Sequence, residues 1–99
     1  AALSEFQRAI GDVRLGDEAR FLMAGCFQKK GILDLARKEY SIALDGCRGV
    51  DDRAKEILYN LGLISEAEGD PEGARDAYIR IYEVDIGYRD VADKMVQLS

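Results

Sequence analysis

The stretch "ARKEYSIAL", residues 36–44, decides the fold, because the chain writes the same pattern three times. It returns as "ARDAYIRIY", residues 74–82, and it stands earlier as "ALSEFQRAI", residues 2–10. In each copy an Ala is followed four residues on by an aromatic, and three after that by Ala or Ile. The sets are Ala2/Phe6/Ala9, Ala36/Tyr40/Ala43 and Ala74/Tyr78/Ile81, with copies beginning 34 and then 38 residues apart. Steps of three and four place such residues on one face of a helix.

A second signature alternates with the first. "FLMAGCFQKKG", residues 21–31, and "YNLGLISEAEG", residues 59–69, each end five residues before the next Ala. Aligning Gly31 with Gly69 aligns Ala24 with Gly62, Met23 with Leu61 and Phe27 with Ser65. Phe21, Ala24 and Phe27 recur at helical spacing, as do Leu58, Leu61, Gly62 and Ser65. Start and stop signals agree. Asp70-Pro71-Glu72 supplies an N-cap, a first-turn Pro and an acidic residue, and Asp51-Asp52 a further N-cap. Gln28-Lys29-Lys30-Gly31 supplies cations and then Gly at a helix end. No stretch alternates long enough to read as a strand. The reading is all-α, with helices over 1–10, 17–29, 32–46, 52–67 and 71–84 and a short one over 88–98.

Repeats of this length mark helical solenoids. The spacing resembles the tetratricopeptide repeat. Leu58-x2-Leu61-Gly62, Gly69, Ala74, Tyr78 and Ile81 carry the resemblance, and Met23-Ala24, Phe27, Gly31, Ala36, Tyr40 and Ala43 carry it in the preceding unit. Asp85-Ile86-Gly87-Tyr88 looks like the family's Asp-Pro-Asn-Tyr junction with Ile in place of Pro. The resemblance implies a superhelix of antiparallel helix pairs in one domain over 1–99. It would hold a half repeat at 1–16, a repeat at 17–50 with an insertion reaching 54, a repeat at 55–88 and a terminal helix at 88–98. Small residues at Ala24/Gly62 and Ala36/Ala74 would let paired helices approach. The chain departs from the family at Arg20 and at Ser65, and at an insertion near "LDGCRGVDDRA", residues 44–54. The N-terminus, Ala1-Ala2-Leu3-Ser4-Glu5, reads as a cut end of a longer protein.

Composition narrows the function. The chain has 99 residues and a net charge of −5. Residues 1–50 carry +1 and residues 51–99 carry −6. An acidic chain without a basic stripe disfavours nucleic acid and anionic membrane surfaces. No apolar run reaches the length of a membrane span. There is no His, so no imidazole base or ligand, and no phosphate-binding Gly loop. The carboxylate-rich "EAEGDPEG", residues 66–73, lacks the order of a calcium loop. Cys26 and Cys47 read as free thiols, with one disulfide the alternative in an oxidising compartment. The expectation is a non-enzyme without cofactor or metal. Its compartment is open, with cytoplasm favoured.

What remains is a surface. The resemblance implies that the first helix of each pair lines a concave groove for a partner peptide or helix. The register assigns Phe21, Gly25 and Gln28 to that face, then Tyr59, Asn60, Leu63 and Glu66, and Lys94 in the terminal helix. A subfamily clamps acidic chaperone tails with basic and Asn residues. Asn60 and Lys94 match that clamp, whereas Phe21, Gly25 and Asp90 do not, so the expected partner is a neutral or basic protein or peptide. The alternative is self-association or docking within a longer chain through end helices. Leu3 and Phe6 would lie bare at one end and Val91 and Met95 at the other, giving a homodimer.

Overall fold

The computed structural model describes residues 13–98. The helix expected over 1–10, with Leu3 and Phe6, lies outside the described residues. Among those described, five helices and no strand are found. They are α1 (Val13–Lys29), α2 (Leu33–Asp45), α3 (Asp52–Ala67), α4 (Pro71–Tyr82) and α5 (Val91–Gln97). The chain divides into two compact units between Gly46 and Cys47, inside the stretch read as an insertion. In the first unit α1 packs on α2. In the second α3 packs on α4, and α4 on α5.

The caps follow the sequence. The Asp51 carboxylate accepts the Ala54 N–H at 2.8 Å, and Asp70 accepts that of Gly73 at 3.0 Å, with Pro71 in the first turn. Each hairpin then turns in the same way. Gly31 and Gly69 adopt φ of 78° and 75°, left-handed backbone that glycine takes without a Cβ penalty. The Ile32 N–H reaches back to the Phe27 carbonyl at 2.9 Å, and the Asp70 N–H to that of Ser65 at 2.8 Å. The two turns therefore share the glycine conformation and this return bond at the spacing read from the sequence, and differ in that Asp70 caps its helix with a side chain whereas Ile32 does not.

Packing repeats as well. Ala24, Ala36, Tyr40 and Ala43 are buried in the first unit, and Gly62, Ala74, Tyr78 and Ile81 in the second. A methyl group at Gly62 would collide with the Tyr78 ring, so the crossing of α3 and α4 requires the missing side chain. The units differ one layer away. Arg20 in α1 pairs with Glu39 in α2 at 2.8 Å, whereas the equivalent positions in the second unit are Leu58 and Ala77, both buried. A largely buried ion pair in one hairpin thus stands where the other has buried apolar side chains.

The last turn differs from expectation. The sequence spacing predicts helices to 84 and from 88, but α4 stops at Tyr82 and α5 starts at Val91. The connection between α4 and α5 takes further turns. The Tyr88 N–H bonds the Asp85 carbonyl at 3.2 Å, and the Val91 N–H bonds that of Tyr88 at 3.1 Å. Between them Arg89 sits at φ 44°, which cannot continue a right-handed helix. Val91 also departs from its expected role as bare surface. It is fully buried, the only residue of α5 that is, in a helix that packs on α4.

Candidate functional site

The residues assigned to the groove gather within each unit around a tyrosine of the facing helix. In the first unit the Phe21 and Tyr40 rings meet edge to face, with centroids 5.9 Å apart. The Tyr40 hydroxyl donates to Gln28 Oε1 at 2.7 Å. A Cβ on Gly25 would lie 3.7 Å from that hydroxyl, an ordinary contact. In the second unit the Tyr59 and Tyr78 rings lie 5.8 Å apart, and the Tyr78 hydroxyl donates to Glu66 Oε2. Phe21 and Tyr59, Gln28 and Glu66, and Tyr40 and Tyr78 are equivalent by the Gly31/Gly69 alignment. The ring contact and the hydroxyl contact both recur.

The second unit adds charge. Lys94 of α5 reaches Glu66 of α3 at 3.1 Å, so Glu66 pairs with Lys94 and also accepts from the Tyr78 hydroxyl. Asn60 donates from Nδ2 to its own helix at the Glu56 carbonyl, 2.8 Å away. Its amide is turned onto α3 and is not held out towards a ligand. Leu63 is half-buried. Of the groove set in this unit, Leu63 is the apolar side chain that α3 leaves partly open.

Tyr59 is more engaged than its spacing suggested. Its hydroxyl donates to Asp90 Oδ1 at 2.6 Å, and its ring lies 6.2 Å from that of Tyr88 at 63°. The Arg89 guanidinium lies over both rings, 4.8 Å from Tyr59 and 5.2 Å from Tyr88. Lys55 lies 5.8 Å from the Tyr88 centroid and is held by Asp85 at 3.1 Å and Asp52 at 3.4 Å. The sequence marks Tyr88 only as part of a junction, and it does not mark Arg89 or Lys55. The signal available there was weak: an aromatic and a cation adjacent in an acidic stretch.

Burial sets the titration of these groups. It pushes Tyr59 up to about 12, helped by the hydrogen bond to Asp90. It raises Tyr78 further, aided by Glu66, and it raises Tyr88. The Tyr59 hydroxyl in turn holds the Asp90 carboxyl below its ordinary value. The side-chain bond from Asp85 raises Lys55. None of these shifts brings a group towards neutral pH, where a general acid or base works best.

Away from this cluster, Tyr82, Ala92, Met95 and Val96 line a shallow open cleft of about 290 Å³. Val96 is 76% exposed. Met95 lines this cleft, whereas Val91 is buried. Neither Cys26 nor Cys47 is in a disulfide. No helix among the described residues is long and apolar enough to cross a membrane. No protein-family model matches the chain, and no curated protein matches it.

Proposed function

We propose that this chain is a helical-repeat module of the tetratricopeptide kind and acts as a non-catalytic scaffold holding a segment of a partner protein. The observation that carries the reading is the recurrence of one contact set. Each hairpin has a left-handed glycine turn, a small residue at the crossing, a ring pair and a tyrosine hydroxyl bonded to the first helix. A hairpin built this way buries one face of its first helix and leaves another to receive a ligand. In the second unit that free face centres on Leu63, with the Tyr59 cluster beside it. The −6 charge of residues 51–99 favours a basic segment with an apolar anchor. A random-peptide display selection tests this. The native chain should enrich a consensus with cationic and apolar positions, and Leu63→Glu should abolish the enrichment. No consensus, or one indifferent to Leu63→Glu, removes the reading.

A second reading is self-association, favoured by the open face formed by Tyr82, Ala92, Met95 and Val96. An exposed apolar cleft against the last helix suits a second copy of the chain. Sedimentation over a concentration series should show a dimer that Val96→Glu dissociates. A monomer at every concentration rules this out.

A further inference from the structure

We propose that Tyr59 and Tyr88 form a site for the guanidinium of an arginine in the partner segment, and that Arg89 occupies this site in the free protein. The proposal deepens the docking reading and rests on it. The two rings form a corner, with centroids 6.2 Å apart and planes at 63°. Both rings lie within cation–π range of Arg89, at 4.8 and 5.2 Å. Carboxylates stand beside the corner. Asp90 accepts from the Tyr59 hydroxyl, and Asp85 and Asp52 hold Lys55 next to Tyr88. Two aromatic walls with a carboxylate at one edge recognise a flat, weakly hydrated cation, and a guanidinium fits that description better than an ammonium.

The two cations at the corner are held differently. Lys55 is pinned by two carboxylates, Asp85 and Asp52, and is a fixture of the fold. Arg89 is exposed, and its backbone lies in the left-handed region that a non-glycine residue adopts at a cost. A partner's arginine can take over the ring contacts while the exposed Arg89 side chain swings out into solvent. Arg89 therefore acts as a latch that an incoming arginine displaces. The acidic charge of residues 51–99 draws such a segment in.

The test uses a defined probe, Nα-acetylarginine amide, with Nα-acetyllysine amide as its control. Binding is followed by the ring-proton resonances of Tyr59 and Tyr88. Arg89→Gly removes the latch and suits the positive φ, so the fold is kept; Arg89→Asn, also tolerant of that region, is the second variant. A latch shut about nine-tenths of the time lowers apparent affinity about tenfold. Both variants should therefore bind the arginine probe about tenfold more tightly than the native chain. Adding Tyr88→Leu should cancel the gain. Equal affinity in native and variant chains overturns the proposal, as do unmoved ring resonances or equal binding of the lysine probe. The probe is a single residue, so the result does not depend on finding a partner. A failed display selection with tight probe binding removes the scaffold reading and keeps the arginine site; the reverse pair of results removes only the site.

Discussion

Gly62→Leu should destabilise the second unit by about 3 kcal/mol, the upper end of the usual cost of overpacking a tight contact. Gly25→Ala should instead stabilise the chain by about 0.5–1 kcal/mol, the gain from replacing a mid-helix glycine. Both glycines lie inside helices, so propensity alone favours substitution at each. Geometry separates them. Any Cβ at Gly62 strikes the Tyr78 ring, which is itself fully buried and cannot move aside. A Cβ at Gly25 meets the Tyr40 hydroxyl at 3.7 Å and fits without displacement. Urea unfolding followed by circular dichroism measures both changes. A neutral Gly62→Leu would mean that Tyr78 does not lie across that turn of α3.

Tyr78→Ala should cost about 3–5 kcal/mol, the range for truncating a fully buried aromatic. Tyr78→Phe keeps the ring and should cost about 1 kcal/mol, since it removes one hydrogen bond while Glu66 retains Lys94. A Phe variant as damaging as the Ala variant would shift the weight from packing to the hydroxyl. The native chain offers the same comparison through pH. A tyrosine whose folded pKa is raised favours the protonated folded state. Its contribution is complete below the ordinary value of about 10 and is lost as pH rises through the folded value. For Tyr59 that value is about 12, and Tyr78 lies higher. Stability should therefore fall steeply above pH of about 10, and part of the tyrosinate absorbance should appear only as helix is lost. Complete ionisation near pH of about 10 with helix intact would contradict the burial of these rings.

The hairpins were legible because their determinants are local. Gly31 and Gly69 terminate helices by backbone chemistry, Asp51 and Asp70 begin them by capping, and Ala36 with Tyr40 declares a face by spacing alone. The same spacing located Phe21 with Gln28 and Tyr59 with Glu66, and those residues do meet around Tyr40 and Tyr78. What spacing could not supply was the path of the connection after α4. A junction read by analogy placed the helix start at residue 88, and the left-handed Arg89 moved it to Val91. That turn of the chain buried Val91, aimed Asp90 at the Tyr59 hydroxyl and laid Arg89 across two rings. Each is a long-range consequence of one backbone conformation, which no periodicity in the sequence encodes. Asn60 matches a ligand-binding residue type, and spacing alone does not show that its Nδ2 also donates to the Glu56 carbonyl one turn back on α3.

The equivalence of the two hairpins is tested most directly by nuclear Overhauser contacts in the native chain. Matched registers require close proton contacts between Phe21 and Tyr40, between Tyr59 and Tyr78, and from the Gly62 α-protons to the Tyr78 ring. Contacts in only one hairpin, or a Tyr78 ring seated against a different turn of α3, would contradict the shared register and with it the reading of this chain as a repeat module.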